Sequence, residues 1–76
     1  MTRYFFDYRA KDQSLLDYRG DEFHNPQGAI EFAQAIAQDL KHSLSADWSG
    51  WSVEVRSADG AKFYTLPVDG SELLAA

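Results

Sequence analysis

The chain has 76 residues, no cysteine, a net charge of −5 and an aromatic share of 14%. Its length leaves no room for a second domain, and its core is thin, because a chain of this size removes only about 60% of its unfolded surface from water. Without cysteine no disulfide, thiolate nucleophile or zinc–thiolate site can form, and an acidic balance with scattered basic residues disfavours general attraction to nucleic-acid phosphates.

Residues 1–20 include Arg3, Asp7, Arg9, Lys11 and Asp12 and hold no continuous apolar stretch. Neither a signal peptide nor a membrane-spanning helix is expected there, and a cytoplasmic setting is the default. Residues 3–9 are rich in aromatics and read as a strand, with Tyr4, Phe6 and Tyr8 on one face and Arg3, Phe5, Asp7 and Arg9 on the other. Residues 10–17 are polar except for Leu15 and Leu16 and read as a loop. Residues 18–23 make a short second strand that Gly20 weakens.

Asn25-Pro26 is a helix start, an N-cap acceptor followed by a residue that lacks only an orphan donor. From there to about Leu44 the residues Ile30, Ala33, Ile36, Ala37, Leu40 and Leu44 recur at spacings of three and four, with Phe32 at the flank. That is an amphipathic helix. Ser45 to Gly50 is a turn-rich connection. Residues 51–57 alternate as a strand, and Asp59-Gly60 signals a hairpin. A two-residue loop there pairs Val55 with Tyr64, Val53 with Leu66 and Trp51 with Val68, a register that keeps apolar residues on one face. Residues 69–76 read as a tail carrying Leu73 and Leu74.

The expected architecture is therefore a single α+β domain over residues 1–76. It is a two-layer β-(β)-α-β-β arrangement with one helix on one face of a mostly antiparallel sheet of three to four strands.

Several of these stretches occur together in an order that resembles a family of small alphaproteobacterial proteins of unknown function. They are the Met1-x-Arg3-Tyr4-Phe5-Phe6 start, Asp17-x-x-Gly20-x-Glu22, the Ala-rich helix, Gly50-Trp51-x-Val53-Glu54-Val55, and Leu66-Pro67 after Gly60. The resemblance covers nearly the whole chain and implies the architecture and a bacterial cytoplasmic setting. It supplies no activity, substrate or cofactor. Two positions depart from the resemblance: Asp7 stands where histidine is expected, and Val68 where phenylalanine is.

No catalytic constellation emerges. The serines lack a Gly-x-Ser-x-Gly elbow, there is no Gly-rich phosphate loop, and about 27 Å of helical rise at 1.5 Å per residue separates His24 from His42. The chain is read as a non-enzyme without a cofactor. Asp17, Asp21, Glu22 and His24 form the nearest approach to a metal site and support an alternative reading as a small metal-binding protein or enzyme.

The more informative feature is the sheet face turned away from the helix. Arg3, Phe5, Asp7, Arg9, Glu54, Arg56 and Phe63 are expected there together, and mixed arginine and aromatic surface is typical of interaction faces. This predicts a protein-interaction module, with a homodimer as its expected assembly. Two other uses of the face compete with it. The tail could fold back over Phe5 and Phe63, or the two rings could stack single-stranded nucleic acid, which the carboxylates in the same patch disfavour.

Overall fold

The aromatic run at the N-terminus forms the longest strand, β1 (Thr2–Arg9), in a computed structural model that describes residues 1–69. Strand alternation buries Tyr4 and Phe6 on one side and sends Phe5 and Asp7 to the other. On one edge β1 pairs antiparallel with β4 (Ser52–Ser57), placing Phe6 opposite Val55 and Asp7 opposite Glu54. Beyond β4 lies β5 (Lys62–Pro67). The other edge of β1 is shared by two short strands. β2 (Ser14–Leu15) pairs with Tyr8 and Arg9, and β3 (Asp21–Phe23) pairs with Thr2 to Tyr4. The sheet thus has five strands in the order β2-β1-β4-β5, with β3 beside β1.

The order contains one strand more than the richest expected count. Residues 14–15, read as loop, pair as β2, and the segment 21–23 pairs as β3 with Gly20 just outside it. The two strands act as one interrupted strand. From Leu15 to Asp21 the chain advances six positions while its partners Tyr8 and Tyr4 are four apart, so the surplus is thrown outward as a loop over 16–20.

α1 (Pro26–Lys41) starts as its sequence dictates: Asn25 sits in extended geometry and its Oδ1 accepts the Gly28 N–H at 2.9 Å. Ala29, Ala33 and Ala37, four apart, form the buried line against the sheet, with Ile36 and Leu40 packed beside it. Methyl side chains let the helix approach Val53 and Val55 closely, and both valines are fully buried. The helix ends at Lys41, and Leu44, expected on its apolar stripe, is fully exposed. The chain leaves helical geometry at His42, three residues before the turn-rich segment was expected to begin.

The β4–β5 register keeps the expected pairs Val55–Tyr64 and Val53–Leu66, and the Val68 N–H donates to the Trp51 carbonyl. The turn differs. Ser57 N–H donates to the Ala61 carbonyl and Gly60 N–H to the Ser57 carbonyl, with Gly60 at φ 93°. That is a three-residue loop ending in left-handed glycine, and a bulge between Val55 and Arg56 restores the register. Phe63 is the extra residue of the bulge. Its ring consequently meets Tyr4, 5.4 Å away edge-on, at the rim of the helix-side face. It does not share the outer face with Phe5, which corrects the sequence expectation. The possibility that Leu73 and Leu74 cover these rings lies outside the described residues.

Gly20 is where close approach is tightest. At φ 71° it sits on β1, and a Cβ there would lie 2.7 Å from the Tyr4 carbonyl oxygen and 3.0 Å from the Phe5 ring. Gly20→Ala combines left-handed strain with a backbone clash, so it should cost about 2–4 kcal/mol. A urea midpoint within error of the parent would show that the 16–20 loop does not rest on the strand.

Candidate interaction face

Asp7 points away from the helix yet is only 1% exposed. Its carboxylate is enclosed because three chain segments converge on it. Arg56, two positions along β4 from Glu54, the residue opposite Asp7, donates from Nε to Oδ2 at 2.9 Å and from Nη2 to Oδ1 at 3.2 Å. The Asp17 N–H donates to Oδ1 at 2.9 Å, and Arg56 Nη2 also reaches the Asp17 carbonyl at 3.1 Å. The two-pronged guanidinium geometry is the strong form of this pairing.

Asp17 completes the enclosure from the loop. Between β2 and β3 the edge of β1 has no strand partner, and the Asp17 carboxylate stands in for one by accepting the Phe6 N–H at 3.1 Å. Its other oxygen accepts the Arg19 and Gly20 N–H groups, both at 3.0 Å, which closes the turn Asp17-x-x-Gly20. Arg56 then lies over the Phe5 ring, 4.7 Å from its centre. Nearby, Glu54 is bracketed by Arg9 at 3.1 Å and Lys62 at 3.4 Å. Arg3 pairs with Glu22 at 3.3 Å and donates to the Arg19 carbonyl. Among the described residues every buried side-chain polar atom has a partner.

Burial alone would raise the pKa of Asp7, but the Arg56 hydrogen bonds and charge, with the Asp17 N–H, outweigh it and hold the group below its ordinary value. Asp17 behaves likewise: burial opposes ionisation, and the Gly20, Phe6 and Arg19 N–H groups with the Arg56 charge reverse the balance. Both carboxylates are therefore ionised at neutral pH.

Of the residues expected on the interaction face, Arg3, Phe5, Asp7, Arg9, Glu54 and Arg56 occupy one side of the sheet, and Phe63 stands apart. Sequence reasoning missed Leu16, Tyr18 and Lys62, which with Phe5 and Arg56 frame an open cradle on that side. Tyr18 is 86% exposed. The signal that could have found the loop was Asp17-x-x-Gly20, a turn pattern beside an unpaired strand edge.

The acidic loop does not converge on a metal. The Asp17 carboxylate is committed to backbone donors and Glu22 to Arg3. Asp21 and Glu22, adjacent in β3, alternate across the sheet. Among the described residues no group of three or more His, Asp or Glu side chains could hold a metal ion, and no helix is long and apolar enough to cross a membrane.

Fold and surface define a two-layer α+β domain, one helix on an antiparallel five-stranded sheet, whose polar network braces a loop against the open face. The chain belongs to the family described as domain of unknown function DUF6894, whose model matches residues 3–69. No curated protein and no solved structure matches it.

Removing Asp7 strands Arg56 and the Asp17 N–H, and Asp7→Ala should cost about 3–5 kcal/mol, as breaking a buried pair does. The pH dependence has a definite sign. Both carboxylates have lowered pKa values in the folded state, so their stabilisation is complete above the unfolded value of about 3.9 and is lost as pH falls through the folded values. Urea midpoints should stay level near neutrality and drop below about pH 4, with a shallower drop in Asp7→Asn. Identical acid profiles for parent and Asp7→Asn would contradict this account.

Proposed function

We propose that this domain is a non-enzymatic protein-interaction module that self-associates through the outer face of its sheet. The observation that supports this is the placement of charge. Arg3, Arg9, Arg56 and Lys62 stand with Asp7, Asp17, Glu22 and Glu54 on or beneath that face. Charge therefore balances there, and the net −5 of the chain is carried elsewhere. Two copies of an acidic chain repel, and this face is the approach on which that repulsion is least.

The same face supplies apolar contact. Phe5 floors the cradle, with Leu16 and Tyr18 at its rim. A two-fold contact sets one patch against its own copy, which suits a surface that carries both signs of charge and has apolar side chains, Leu16 and Tyr18, at its rim. The setting we propose, a bacterial cytoplasm, rests on the order of the sequence motifs alone.

The test is solution mass against concentration. A dimer at high concentration should dissociate on dilution, and Tyr18→Asp should weaken association by at least about tenfold while leaving the melting temperature near the parent value. A monomer mass throughout the range would overturn the proposal.

A further inference from the structure

A second surface lies on the opposite side of the 14–18 segment. Between α1 and the interrupted edge of the sheet runs a groove of about 410 Å³, floored by Phe6 and Tyr8 and walled by Leu15 and Leu16 on one side and Phe32 and Ile36 on the other. Leu15 is 50% exposed, Leu16 46% and Phe32 40%, an apolar concentration that a monomer this small seldom leaves to water. The charged side chains that line it are Asp17 and Asp21, and no Lys or Arg does. The Asp17 carboxylate is held ionised by three backbone donors, and Tyr8 registers it: burial first, then the Asp17 charge, raises the Tyr8 pKa. Asp39, three positions beyond Ile36, follows on the same side of the helix.

We infer that this groove docks a cationic amphipathic helix of a partner protein, with apolar side chains seated between Leu15 and Phe32 and Lys or Arg facing Asp21. Three features select this occupant. The negative field over an apolar floor favours a cationic amphipathic segment. Strand addition is blocked, because the Phe6 N–H at this edge is already taken by Asp17. A second copy of this chain brings a charge of −5 to a groove whose lining charges are carboxylates. The inference rests on reading the domain as an interaction module, but not on association through the outer face.

The probe is a synthetic amphipathic helical peptide of leucine and lysine, titrated calorimetrically at about 0.15 M salt. Two controls accompany it, one with glutamate for lysine and one with serine for leucine. Saturable one-site binding of the first peptide is expected, with both controls weaker by at least about tenfold. Leu15→Ser should lower affinity by a similar factor and Asp21→Asn several-fold, each with an unchanged melting temperature. Tyr18→Asp, which tests the outer face, should leave peptide affinity intact. Equal binding of the serine–lysine control, indifference to Leu15→Ser, or no saturable binding would each overturn the assignment. So would a fall in solution mass with Leu15→Ser, which would make the occupant a second copy. Equally tight binding of dodecylammonium would make it a small molecule and overturn the assignment too.

Discussion

Asp7 ties together three parts of the chain that are far apart in sequence. It lies on β1, takes both prongs of Arg56 from β4, and takes the backbone N–H of Asp17 from the loop between β2 and β3. Burying a carboxylate is expensive, and the cost is offset only because every donor arrives with good geometry. Arg56, paired in this way, lies over the Phe5 ring. The outer face therefore needs no second layer: the pair and the loop cover its centre, and the edges remain open.

Asp17 turns this pairing into a shape. Its carboxylate replaces a missing strand neighbour at Phe6 and closes the turn to Gly20, so the loop is held against β1 from both sides. Held there, Leu15, Leu16 and Tyr18 cannot fold inward, and their apolar side chains face solvent. Much of the fold's buried charge thus supports a segment whose side chains contribute little to the core. That is the reason to look for function along residues 14–18, where the outer cradle and the helix-side groove share Leu16 as a common wall.

The helix, the strands β1, β4 and β5, and the pairing of Val53 and Val55 were legible because each follows from a local period or a turn signal. What escaped the sequence was non-local or depended on count. On the helix, Ala33 and Ala37 were expected on the apolar stripe and are buried, but Ala29 was not expected there and Leu44, which was, is exposed; close packing against the valines favours methyl groups. Phe63 changed faces because the hairpin loop took one more residue than Asp59-Gly60 implied, and a bulge then repaid the register. The Asp17 clamp joins a side chain to a backbone group eleven residues away, and no periodicity reports such a contact.

The edges of the sheet decide how such a domain can meet a partner. An open strand edge invites pairing with another chain, and both edges here are blunted. On one side the bulge at Phe63, with Lys62 before it and Pro67 at the strand's end, interrupts the donor row of β5. On the other, β1 is covered in part by β2 and β3, and the gap between them is closed by a carboxylate. Backbone pairing is thereby disfavoured at both ends of the sheet. What the sheet presents is then the side chains on its faces, and the apolar ones left exposed together on one braced segment are those of residues 15, 16 and 18.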